Sequence, residues 1–241
     1  SLLFLAYPAQ SQESSASLIE EIIVTSQRTE ESLQDVPIAV TALTSSMLED
    51  MQIEGGSDLQ LVTPSLSFQG SDATGGAFNI RGITNLAVSP TAESGVEIHV
   101  NDLPVGATTM QDGDFLDMER IEVLRGPQGT LYGKNSVGGV INLITARPQF
   151  GEAFGSAGID LGSYDLLKTK LMLNIPLGDS LAMRIAASSN DRDGDIKNIY
   201  SKAKTSHVNN RDSDAYRLSI AWNATDRTDV LFVHENYSEN S

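Results

Sequence analysis

Gly133-Lys134 ends a connector with glycines at 126, 129, 133, 138 and 139, and a lysine behind a glycine-rich turn is an arrangement that can cradle phosphate. Here the spacing fails. The first glycine of such a loop would stand at 128, where there is Gln128, and Asn135 replaces the Ser or Thr that would coordinate Mg²⁺. His99, His207 and His234 are scattered, and neither a His-Glu-x-x-His pair nor a Gly-x-Ser-x-Gly elbow is present. Cysteine is absent, which removes disulfides, thiolate metal sites and cysteine nucleophiles together. Glu20-Glu21, Glu30-Glu31 and Glu49-Asp50 are neighbours in sequence, and solvated faces account for them. No catalytic residue, metal ligand or cofactor is therefore expected. Arg81 and Arg125 stand apart from these, because each precedes a glycine at the end of a β-type run in a region poor in cations. A buried guanidinium needs carboxylate partners. Two surface arginines at strand ends are the simpler reading.

The net charge is −16, spread unevenly: residues 1–150 carry 19 acidic and 6 basic side chains, residues 151–241 carry 13 and 10. Such a surface repels phosphate backbones, so nucleic acid is not an expected partner. No apolar run reaches the roughly 18–20 residues of a membrane helix, and membrane residence would have to come from β-structure.

The elements that would position these residues fall into two groups. Ile121–Leu124 and Val140–Thr145 read as strands joined by the glycine connector, which is expected to fold compactly rather than hang loose. Upstream, residues 36–43 read as a strand, with Pro37 near its start. A short helix capped by Thr44 or Ser45 follows, then a second from Ser57 or Asp58 that stops before Pro64. Further strands are expected at 66–68, 77–82 and 96–101, joined by loops 70–76, 84–95 and 104–113. These add up to an α+β unit over 36–148.

After Pro148 the pattern changes to segments of about ten residues that alternate apolar with polar or small side chains. Leu167, Thr169, Leu171, Leu173 and Ile175 share one face, while Lys168, Lys170, Met172 and Asn174 share the other. Leu181, Met183 and Ile185 oppose Ala182, Arg184 and Ala186, and Tyr216, Leu218, Ile220 and Trp222 oppose Arg217, Ser219 and Asn223. Segment 155–161 alternates more weakly, the phase of 230–237 is ambiguous, and 191–214 reads as a long polar loop. This pattern fits strands of a membrane barrel with lipid on one side, and equally a soluble antiparallel sheet with one wet face.

At the other end, residues 2–12 look like the end of a signal peptide, or a stray apolar terminus. Ile19-Glu20-Glu21-Ile22-Ile23-Val24-Thr25 is a β-prone run between polar flanks. It can add to a partner's sheet edge or serve as an edge strand of its own domain.

The run LRGPQGTLYGKNSVGGVINLIT at 124–145 closely resembles the end of the plug domain in TonB-dependent outer-membrane receptors. Asn79-Ile80-Arg81-Gly82 resembles that family's IRG motif, and 97–105 resembles its strand and turn, with Asn101-Asp102 in place of Asp-Gly. The resemblance implies an α+β plug domain at 36–148, then the first strands of an antiparallel transmembrane β-barrel at 149–241, with the chain read as a fragment of a barrel of about 22 strands. It further implies a signal-peptide remnant at 1–12 and a periplasmic tail at 13–35 whose residues 19–25 form the box presented to the protein TonB and its inner-membrane energy-transducing complex. Arg81 and Arg125 would belong to a lock against acids of the barrel wall. Function would be active uptake of a scarce extracellular ligand, ferric siderophore being the commonest class, across outer-membrane lipid and without catalysis. The competing expectation is a soluble periplasmic or extracellular binding module with an α+β part and a β-sheet.

Overall fold

A computed structural model describes residues 22–26, 28–69, 76–84, 95–105, 114–199, 207–225 and 227–239. The expected leader remnant at 1–12, Ile19 to Glu21 of the box, and most of loops 70–76, 84–95 and 104–113 lie outside the described residues.

The chain enters through a small hairpin, β1 (Ile23–Val24) with β2 (Glu31–Ser32). β3 (Ala39–Thr44) follows, then α1 (Ser45–Asp50), whose first turn is capped by Thr44 Oγ1 accepting from Met47 N at 3.4 Å. A 3₁₀ turn at Gly56–Asp58 runs into α2 (Leu59–Val62), and the Asp58 carboxylate accepts from the backbone N–H groups of Glu54 and Gly55. β4 (Leu66–Gln69) pairs with β5 (Ala77–Ile80). β6 (Val96–Val100) turns tightly into β7 (Leu103–Pro104) through Asn101 and Asp102, both at positive φ of 48° and 68°. Asn and Asp are the side chains that best tolerate this geometry without glycine. β8 (Met118–Arg125), α3 (Gly129–Tyr132) and β9 (Gly139–Thr145) complete the unit.

Its sheet runs β3-β8-β9-β6-β7, with β6 and β9 parallel and the other pairs antiparallel. One face buries Leu43, Ile98, Ile121, Val123 and Ile141 against Leu48, Leu59, Leu66, Phe78 and Ile80 from α1, α2, β4 and β5. Each such side chain contributes about 1.5–3 kcal/mol relative to exposure, which fixes this face inward. The other face carries Leu124 and Val140, packed on Tyr132 of α3, beside a polar row of His99, Asn142 and Glu122. The glycine connector is a compact fold, as expected, held by Gly126 N donating to Gly138 O and Gln128 N to Ser136 O, each at 2.9 Å. Gly139 has φ 155°, and a Cβ there would lie 2.2 Å from Leu124 O. No other residue fits.

The second part is an antiparallel sheet: β10 (Phe154–Leu161), β11 (Leu167–Pro176), β12 (Leu181–Arg192), β15 (Arg211–Thr225) and β16 (Thr228–Glu239), in that order. A short pair, β13 (Ile196–Lys197) with β14 (His207–Val208), extends the long polar connection between β12 and β15. The sheet does not close on itself; β10 and β16 are its edges. Register settles the ambiguous phase of the last segment. Phe232 opposes Ile220 and Val230 opposes Trp222 on the apolar face, while Glu235 opposes Arg217 and Tyr237 opposes Ala215 on the other. Ile159, Leu167, Leu171, Leu173, Trp222 and Phe232 point away from the α+β unit and stay exposed. Lys168, Asn174, Ala182, Arg184, Ala186 and Arg217 are buried on the face that meets it.

Candidate functional site

Where the two parts meet, acids of the α+β unit are clamped by cations of the sheet. The segment entering β8 supplies the central contact. Asp117 sits at φ 47°, and its carboxylate accepts from Arg184 Nε at 2.7 Å and Nη2 at 2.6 Å, a two-pronged pair. Arg217 reaches across the same seam and donates to Leu116 O at 2.7 Å and Asp117 O at 3.3 Å, while its Nε pairs with Glu235 on the neighbouring strand. Leu116 packs in the same seam against Ala186 and Ala215.

Toward the end of the sheet that carries the long polar connection, Asp114 gathers donors from three strands. Arg211 lies 3.1 Å from its Oδ1 and Lys168 3.9 Å, and Asn190 and Ser213 donate to Oδ2 at 3.0 and 3.1 Å. Glu54 is held beside it by Phe115 N donating to Glu54 O, and its carboxylate meets Lys168 and Lys170, each at 2.8 Å. Partial burial pushes the Glu54 carboxyl up, but the two ammonium groups outweigh it and hold the group below its usual value of 4.5. At the opposite end Asn174 bonds the backbone of Gln149 and Glu152. The chain thus ties its own crossover to the sheet.

A second cluster holds the N-terminal hairpin on the polar face of the first sheet. Glu122, fully buried, accepts through Oε1 from Thr25 N at 2.8 Å, Thr25 Oγ1 at 3.2 Å and Arg120 Nε at 2.9 Å. Tyr132 OH donates to Ser26 O at 3.0 Å and accepts from Asn142 Nδ2 at 2.9 Å. Burial raises the Tyr132 phenol, with the Asn142 hydrogen bond acting against it, so the proton it donates is retained. Arg28 stacks over the Tyr132 ring at 5.0 Å and donates to Leu131 O. Val24 and Ser26 are buried as a result.

The expected box is thus seen only in its second half. Ile22 bonds Leu33, Ile23 and Val24 pair with β2, and Thr25 is gripped by Glu122. In this structure it is a strand of its own domain. Arg81 is exposed at φ 54° and lies over the connector, its Nη1 3.4 Å from a Cβ placed on Gly126. Arg125 is half-buried, and its Nε finds no partner among the described residues. Neither arginine is brought to strands β10–β16 among the described residues.

Sequence reasoning missed Glu54, Asp114, Asp117 and the latch residues Glu122, Tyr132 and Asn142. A signal for the first group was present. Lys168, Lys170, Arg184 and Arg217 fall on the polar faces of alternating segments, and the first 150 residues carry the excess acid to match.

A family model described as "TonB-dependent Receptor Plug Domain" matches residues 32–140. The chain is 27% identical over 213 residues to the metal-pseudopaline receptor CntO of Pseudomonas aeruginosa, covering 86% of this chain and 27% of that protein. It is 26% identical over 195 residues to the vitamin B12 transporter BtuB of Photobacterium profundum, covering 79% and 31%. Among solved structures, the ferric yersiniabactin uptake receptor FyuA from Yersinia pestis shares the fold with a TM-score of 0.72 at 24% identity, over 83% of this chain and 31% of that one. The chain spans between about a quarter and a third of the length of these relatives.

Proposed function

We propose, taking as premise that this chain belongs to the TonB-dependent outer-membrane receptors and comprises their plug and first barrel strands, that the whole protein takes up a scarce extracellular ligand by energy-coupled transport. The observation that carries this reading is the sidedness of the strand sheet: its polar face is clamped to the plug through Asp114, Asp117 and Glu54, and its apolar face is left outward. A soluble module would hide Leu171, Leu173 and Phe232, and outer-membrane lipid is the surrounding that suits them exposed.

Within this reading the ligand is a metal chelate of the ferric-siderophore kind, captured on the outer side and released to the periplasm without covalent chemistry. The metal-pseudopaline and ferric yersiniabactin relatives support that class. Residues 19–25 serve as the box for TonB, whose pull through 26–35 loads the plug. Arg81 and Arg125 form a lock with acids of wall strands other than the five present here. The test is deletion of Ile19 to Thr25 in the complete receptor. Energised uptake of a ferric siderophore panel should vanish while binding of the same chelates persists; uptake at the parental rate would overturn the coupling role.

A further inference from the structure

We propose that Asn142 and Tyr132 are positioning residues for the N-terminal segment, and that a half-turn of one amide decides whether the segment is held or let go. Tyr132 has a single hydroxyl proton to give. In the structure it goes to Ser26 O, and Asn142 Nδ2 donates to the phenol oxygen. That arrangement leaves two buried acceptors, Glu122 Oε2 and Asn142 Oδ1, without a donor among the described residues. Both belong to residues paired directly across β8 and β9, where opposed side chains start about 4.5–5.5 Å apart at Cβ. Unserved buried acceptors are rare and ask for an explanation.

Rotating the Asn142 amide supplies one. Nδ2 then turns to Glu122 Oε2, and Oδ1 takes the proton of Tyr132. Both orphaned acceptors are served, while Ser26 O and the Tyr132 phenol oxygen lose their donors. The same rotation draws the Glu122 charge toward Oε2 and weakens Oε1, which grips Thr25 N and Oγ1. Each state makes two hydrogen bonds and leaves two acceptors unserved: Glu122 Oε2 and Asn142 Oδ1 in one, Ser26 O and the phenol oxygen in the other, where water satisfies the carbonyl once the segment lifts. The two arrangements are close in balance, which is what a releasable tether needs.

Only the consequence of release, access of residues 19–25 to a partner, rests on the function proposed above. The switch itself is tested by thiol labelling of the complete receptor carrying Ser26→Cys. The chain has no cysteine, Ser26 is 1% exposed and its Oγ bonds nothing among the described residues, so the thiol reports lifting at little cost. Tyr132→Phe should speed maleimide labelling about fivefold, the equivalent of one net hydrogen bond. Asn142→Asp, which has no N–H to give the phenol oxygen and keeps an acceptor for its proton, should do the same. Asn142→Leu neither gives nor takes; it leaves Tyr132 to Ser26 and should not speed labelling. In a Tyr132→Phe background Asn142→Asp should add nothing. Equal acceleration by Asn142→Leu and Asn142→Asp, or a full additional factor from Asn142→Asp without the phenol, would overturn the switch. Faster labelling with unchanged energised uptake would leave the switch standing and sink the partner reading of residues 19–25.

Discussion

Asp117→Asn is expected to loosen the plug from the strand sheet by about 3 kcal/mol. The substitution is chosen for the backbone as much as for the charge. Asp117 lies at φ 47°, a conformation Asn accepts, whereas Ala would add a strain of about 1–2 kcal/mol unrelated to the ion pair. The Asp117 and Arg184 side chains are 12% and 8% exposed, so the pair is largely withdrawn from water. Removing one partner of such a pair costs about 3–5 kcal/mol, because the remaining charge stays buried. Asn keeps one acceptor for the guanidinium, which places the cost at the lower end. Urea-dependent thiol labelling of Ala186→Cys in the complete receptor reads this directly, since Ala186 is buried against Leu116 and plug release exposes it while the strand sheet stays folded. Combining Asp117→Asn with Arg184→Met closes a double-mutant cycle, and the coupling should be about 2 kcal/mol or more. A single-variant loss or a coupling below about 0.5 kcal/mol would show a pair of the weak, solvated kind and refute the reasoning.

Gly139→Ala should cost more than about 3 kcal/mol or prevent plug folding, since its Cβ meets a backbone carbonyl at 2.2 Å. Gly158→Ala, with nothing within 4 Å, should leave the melting temperature of the complete receptor unchanged. The Glu54 carboxyl is held below 4.5 by Lys168 and Lys170, so its contribution is present above that value and is lost as pH falls through the lower value in the folded state. Plug release measured between pH 6 and 3 should therefore steepen on the acid side, and Glu54→Gln should flatten that part of the profile. Leu171→Arg on the outward face should reduce the folded, membrane-inserted fraction by an amount equivalent to about 2–4 kcal/mol, whereas Met172→Gln on the inward face should insert normally.

Local order was largely legible from residue pattern. Period-two alternation marks β11, β12 and β15, and their inward residues Lys168, Asn174, Arg184 and Arg217 are the buried ones. Thr44 stops β3 and caps α1, and Asn101-Asp102 makes the turn its residue types favour. The partners of these residues were not legible, because they are set by register and by the approach of distant segments. Asp117 meets Arg184 across 67 positions and Thr25 meets Glu122 across 97. No local pattern records such pairings. The phase of β16 became fixed only through its pairing with β15, which sets Glu235 opposite Arg217. Attention to Arg81 and Arg125 came from their rarity among acids. The face of the wall that meets the plug in this chain presents Lys168, Lys170, Arg184 and Arg211, which pair with plug acids.

Sidedness of the strand sheet can be measured residue by residue on β11. Single cysteines placed from Leu167 to Ile175 in the complete receptor, spin-labelled in a lipid bilayer, report collision with lipid-soluble oxygen and with a water-soluble nickel complex. The account predicts high oxygen accessibility at 167, 169, 171, 173 and 175, and protection from both reagents at 168 and 174 beneath the plug. Uniform accessibility along the strand, or oxygen contact at 168 and 174, would contradict it.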